Sequence, residues 1–184
     1  MKKIMFNDRY GLTQAVIEGR KTMTRRIVPT KTRLRRALAV IHDEPHGSEQ
    51  EEYLKSACYK VGEIVAVAQN YRSCGNYHVP KEHPGWSNKL FVLPALMPYQ
   101  IRITRIKCER LQDISDEECL REGIRQFTPN FPKNFPIYPT HFVIGDILKD
   151  TPRKAFAALI DKVSGRGTWA SNPWVVAYEF ELVK

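Results

Sequence analysis

The sequence predicts an α+β fold, a small sheet or barrel flanked by helices, and three observations carry that prediction. Residues 99–110 and 174–183 alternate apolar with polar side chains, the period of two that half-buried strands show. Leu12, Ala15 and Val16, and later Phe156, Leu159, Ile160 and Val163, recur instead at helical spacing. These strands and helices are separated by stretches rich in Gly, Pro and polar residues, and no Rossmann or P-loop glycine pattern is present. With 184 residues, 42% hydrophobic and 27% charged, the chain suits one domain around one core, and it contains no internal repeat.

In chain order, Asn7 or Asp8 can cap the first helix, and Gly19 can supply its left-handed stop. Residues 20–26 then form a loop or extended segment, because Thr22, Thr24, Ile27 and Val28 are β-branched and Pro29 disfavours helix before it. Residues 42–52 are acidic and interrupted by Pro45 and Gly47, the composition of a flexible acidic loop. Val61-Gly62-Glu63 turns the chain into an internal strand over 64–69, apolar on both faces. Residues 72–98 read as irregular. The strand over 99–110 sets Ile101, Ile103 and Ile106 against Arg102, Thr104, Arg105 and Lys107, which makes one face basic. Ser115 with Glu118 forms a capping box for a short helix ending at Gly123. Residues 127–139 hold four prolines among aromatics and read as an irregular segment packed through its rings. Thr151 and Pro152 start a helix through Val163, Gly165-Arg166-Gly167 ends it, and 174–183 is the last strand, with Trp174 in the core.

The formal charge is +9, and its distribution is uneven. Residues 1–36 hold eleven basic side chains against Asp8 and Glu18, so the whole excess sits in the first fifth of the chain and a polyanionic partner is expected. Lys31-Thr32-Arg33-Leu34-Arg35-Arg36 lacks the Trp/Phe/Leu face of an interfacial helix, and no run approaches the roughly 20 apolar residues of a membrane span. Met1-Lys2-Lys3 leads into only Ile4-Met5-Phe6, too short for a signal-peptide core, so a cytoplasmic protein without membrane contact is expected. Cys58, Cys74, Cys108 and Cys119 form no C-x-x-C pair and read as reduced thiols. Neither His42, Asp43, Glu44 and His46 nor Cys74, His78 and His83 has a ligand spacing, so no metal and no cofactor is expected.

Gly19-Arg20-Lys21-Thr22-Met23-Thr24-Arg25-Arg26 resembles the G-[RK]-K-T-x-T-R-R signature of ASCH domains, a branch of the PUA-like β-barrel fold found in phage and prophage proteins. Three further blocks extend the resemblance in order. Tyr59-Lys60-Val61-Gly62-Glu63 is similar to the family's turn before its core strand. Leu111-Gln112-Asp113-Ile114-Ser115 with Glu122-Gly123-Ile124 resembles the "LQDIS…EGI" block of phage-type members. Trp169-Ala170-Ser171-Asn172-Pro173-Trp174-Val175 is similar to their closing "W-x-x-N-P-W-V". The resemblance implies a single PUA-like domain over 1–184, a small mixed β-barrel with flanking helices that binds RNA or a modified nucleoside through a basic cleft. It also implies a hydrolase alternative, because some small members are amidohydrolases on acetylcytidine and a ribonuclease is described in another branch. The amidohydrolases use a Lys, a Thr three residues on and a Glu from a strand. Lys21 and Thr24 match the first two by motif position, whereas Arg102 takes the place of the Glu, and Gln69 stands where phage-type members often end the earlier core strand with Glu.

The chemistry of these residue types supports both uses. A Thr hydroxyl needs a base, and a Lys can serve only if burial or neighbouring cations lower its pKa toward neutrality. Arg20, Arg25, Arg26 and Arg102 are the candidate cations, and Glu63, Glu109 and Glu179 the candidate carboxylates. As a binding site, Arg25 and Arg26 offer bidentate donors to phosphate, Lys21 a point charge, and Thr22 and Thr24 hydroxyls for phosphate or sugar oxygens. Tyr71, Trp86 and Trp169 are candidates to stack on unpaired bases, although packing is the commoner role of such rings. A third possibility is a phage-derived interaction module whose basic patch meets an acidic protein. The chain is expected to act as a monomer.

Overall fold

The computed structural model describes residues 1–42, 47–75, 78–128 and 140–183. In chain order its strands are β1 (Lys3–Ile4), β2 (Met23–Ile27), β3 (Ile64–Val67), β4 (Gln100–Arg110), β5 (Arg125–Phe127), β6 (His141–Ile144), β7 (Ile147–Lys149) and β8 (Trp174–Leu182). Its helices are α1 (Leu12–Ile17), α2 (Thr30–Ile41), α3 (Glu49–Lys55), α4 (Asp116–Arg121), α5 (Pro152–Ser164) and α6 (Thr168–Ser171). The fold is α+β, as the alternation of periods predicts. No described helix is long and apolar enough to cross a membrane.

The two alternating segments are the spine. β4 and β8 pair antiparallel from Ile101 opposite Leu182 to Arg110 opposite Trp174. A register shift between Ile103 and Arg105 explains why the apolar positions of β4 change parity. A bulge inserts one residue, so Ile101 and Ile103 before it and Cys108 after it all point inward. The five-stranded sheet runs β1-β3-β4-β8-β2, with β1 parallel to β3 and the other pairs antiparallel. Among the described residues no ladder joins β1 to β2, so these strands do not close into a barrel. A second sheet, β5-β6-β7, lies apart in the pairing. α5 buries Ala155, Phe156 and Leu159 in the main core, whereas Val163, expected inside, is exposed.

Several local expectations are corrected. Residues 23–27, expected as a loop or an extended segment, are a sheet strand, because their β-branched and Arg side chains find a partner in β8. Residues 30–41 form a helix where no element was expected, and it continues past Arg36 far enough to expose Leu38, Val40 and Ile41, apolar residues that the 31–36 segment lacks. Within the expected acidic loop, Ser48 caps α3 through a capping box with Glu51, and Glu49, Glu51 and Glu52 occupy the first turn, where the helix dipole favours them. Residues 43–46 of that segment, with Asp43, Glu44 and His46, lie outside the described residues, as does 129–139 of the Pro-rich segment. Trp174 is half-buried, edge-on to Tyr53 at 5.8 Å and under the Arg110 guanidinium at 4.5 Å. The four cysteines are free thiols, and burial pushes Cys108 up to about 11 and Cys119 to about 12.

Candidate functional site

The 19–26 motif begins where α1 ends. Gly19 takes φ +72°, a conformation that a side chain would strain, and the chain reverses so that the Lys21 amide donates to Ala15 O at 2.9 Å. The Thr22 amide then donates to Arg121 O, and Thr22 O accepts from the Phe180 amide, both at 2.9 Å, which ties the motif to α4 and β8. From Met23 onward the strand alternates, so Arg25 and Arg26 leave β2 on opposite faces.

Lys21 and Arg25 turn inward onto carboxylates distant in sequence. Lys21 is 2% exposed, and its Nζ donates to Glu122 Oε2 at 2.5 Å and to Glu122 O at 2.7 Å. Arg25 donates from Nη1 to Glu122 Oε1 at 3.1 Å, from Nη2 to Glu118 Oε2 at 2.6 Å and from Nε to Glu109 Oε1 at 2.9 Å. Lys107 closes the cluster, 2.5 Å from Glu118 and 2.8 Å from Glu109. Three cations thus face three carboxylates, and the buried half of the basic motif is neutralised.

The local sequence explains the placement. Ser115 caps α4 by accepting from the Glu118 amide, and Glu118 and Glu122, four apart, lie on one stripe facing β2. Gly123, at φ +105°, lets the chain leave α4 close against α1 and Lys21. The electrostatics follow the burial. Removal from water lowers the Lys21 pKa below its usual 10.5, with Glu122 opposing that shift and Arg26 and Arg25 adding to it. For Arg25, burial pulls the value down, but Glu122, Glu109 and Glu118 together outweigh it and raise it.

The remaining sequence candidates are dispersed. Arg20 is on the surface and pairs with Glu18 at 2.5 Å. Thr22 Oγ1 accepts from Arg121 Nε at 3.1 Å. Thr24 is buried on the same face of β2 as Arg26, and the half-buried Arg26 donates to Met5 O and stacks over the Phe6 ring. Lys21 Nζ also lies over that ring, 5.7 Å from its centroid. Arg102 is exposed and pairs with Glu181, away from the cluster. The Tyr71 ring is buried beside His83 and Gly85, so it offers no open face for a base, and Trp169 is half-buried, edge-on to Phe156 and beneath Arg153. Gln69 lines a polar cavity of 260 Å³ with Asp8, Thr13, Gln14 and Ser73, and its buried Oε1 has no hydrogen-bond partner among the described residues.

Of the three carboxylates proposed from sequence, Glu109 joins the cluster, whereas Glu63 pairs with Lys2 and Glu179 with Arg121. Glu118 and Glu122 were missed. The signal was present in the capping box and the spacing of four, both inside the "LQDIS…EGI" block, but nothing local shows that this helix faces Lys21.

Neither a protein-family model nor a curated protein sequence matches the chain. It is similar to the solved structure of protein EF3133 from Enterococcus faecalis V583, of family DUF984, at a TM-score of 0.41 and 14% identity, over 100% of this chain and 77% of that one. Likeness at that level carries no argument about function.

Proposed function

We propose that the chain is a PUA-like protein of the ASCH type that binds RNA or a modified nucleoside beside the 19–26 motif, with the five-stranded sheet as its PUA-like core. One observation carries the reading: motif blocks far apart in sequence meet at one place, with Lys21 and Glu122, 101 residues apart, 2.5 Å from each other. The closing block joins the same neighbourhood, since Asn172 Oδ1 and Trp169 O each accept from Gln112 at 2.8 Å. In this reading Lys21 and Arg25 position the motif and do not touch ligand. The contacts fall to its outer residues, Arg20, Thr22 and Arg26, whose present partners a phosphate or sugar oxygen would replace.

A second reading, hydrolysis of an acylated nucleoside, is favoured by the depressed pKa of Lys21. A neutral Lys21 could accept the Thr24 proton as its hydroxyl attacks the acyl carbonyl, then return that proton to the departing amine, and water would release the acid from Thr24. Glu122 would fill the carboxylate role that the sequence left unassigned. One experiment tests both readings: labelled RNA and acetylcytidine are each presented to the wild type, Arg20→Ala/Arg26→Ala and Lys21→Ala. The double variant should weaken binding about tenfold and flatten its salt dependence. Unchanged binding overturns the first reading, and absence of turnover by the wild type removes the second.

A further inference from the structure

The cations of residues 1–36 separate into two groups once their partners are known. Lys2, Arg20, Lys21, Arg25 and Arg36 meet carboxylates, and Lys3 and Arg26 meet backbone carbonyls. Among the described residues, Arg9, Lys31, Arg33 and Arg35 meet no carboxylate, and three of these four stand on α2. The positive potential that the sequence places in this region is therefore displayed by α2.

α2 does not present these charges on a flat surface. Between α2 and α3 runs a groove of 610 Å³ whose walls carry Lys31, Thr32, Arg35 and Arg36 from one side and Glu52, Lys55 and Ser56 from the other. Among the described residues the one lining carboxylate is Glu52, and Arg36 lies 3.1 Å from it, also donates to Gly47 O at 2.8 Å and is thereby held in place. Lys31, Arg35 and Lys55 are exposed and meet no carboxylate among the described residues. Lys31 and Arg35 are one helical turn apart, about 6 Å along the axis, so they extend the charge along the groove.

We propose that the α2–α3 groove is a binding track for the phosphodiester backbone of single-stranded RNA, separate from the 19–26 motif. Lys31, Arg35 and Lys55 make the phosphate contacts, and the Thr32 hydroxyl can donate to a phosphate oxygen. A second copy of this chain would bring like charges together in the groove and is disfavoured on that ground. The proposal rests on the reading that this chain meets RNA, and not on where the motif contacts it.

The test is fluorescence anisotropy with a labelled oligouridylate of about 20 nucleotides across a salt series. Wild type, Lys31→Ala/Arg35→Ala/Lys55→Ala and Arg20→Ala/Arg26→Ala are compared, with thermal melts to confirm that each is folded. The triple variant should bind about tenfold more weakly, with a salt slope shallower by about 2, near 0.7 for each lost contact. Loss in the triple variant alone supports the groove and removes the motif contact. Loss in the Arg20/Arg26 variant alone overturns the groove and leaves the motif reading standing. No binding by the wild type overturns the groove. So does wild-type binding to phosphatidylserine vesicles or polyglutamate as tight as to the oligonucleotide, because the surface would then be a general anion site.

Discussion

The 19–26 motif and helix α2 are neighbours in one basic stretch, yet the cations Lys21 and Arg25 of the first and those of the second are placed in opposite ways. Lys21 and Arg25 lie in the interior, locked to Glu109, Glu118 and Glu122, whereas Lys31, Arg33 and Arg35 stand in solvent with no carboxylate beside them among the described residues. Cation density along the chain thus does not locate positive potential on the surface. That depends on which carboxylates the fold carries back, here from about 85 to 100 residues downstream. The cluster suits holding one geometry, since buried pairs cost much to break, and the helix suits meeting a mobile polyanion, since its charges remain hydrated.

The largest effect that sharpens this contrast belongs to Glu122→Gln. It leaves Lys21 buried without its carboxylate and should lower unfolding stability by about 3–5 kcal/mol in urea titrations. A loss under 1 kcal/mol would mean the pair is hydrated in solution and the contrast is overstated. Next is Lys21→Met, which removes the charge together with its burial cost and leaves Glu122 paired with Arg25, so its cost should be clearly smaller. It should also change a pH trend. Because the folded pKa of Lys21 lies below 10.5, the unfolded chain binds more protons between the two values, and wild-type stability rises with pH across that window. Melts across the alkaline range should show this rise in the wild type and its reduction in Lys21→Met; identical profiles would refute the burial of a charged lysine. The smallest effect is expected at α2, where Lys31→Ala/Arg35→Ala should shift stability by no more than about 0.5 kcal/mol. A larger loss would show that these charges are partnered inside the protein and would erase the contrast.

Legibility from sequence followed the range of the interactions. The strands β4 and β8, the caps at Ser115 and Thr151 and the left-handed stop at Gly19 were readable, because periodicity and capping act within one or two turns of chain. The parity change in β4 was not legible, because residues 99–110 read as one alternating strand and only the register with β8 reveals the bulge. α2 was missed because its Arg-rich start reads equally as a solvated tail, and α3 because its Glu-rich first turn has the composition of a loop. At the site, Lys21 and Arg25 meet through Glu122, whereas Thr24 lies on the other face of β2 from Arg25, and Arg102 and Tyr71 lie with other partners.

By itself, then, the sequence determined the α+β class, the approximate extents of β3, β4, α4, α5 and β8 and the unusual concentration of cations in the first 36 residues, all of them local or compositional properties. Only the tertiary structure decided which of those cations are neutralised. That choice depends on where α4 and β4 bring Glu118, Glu122 and Glu109, and pairing across about a hundred residues is set by packing of the whole core, which no window of sequence contains.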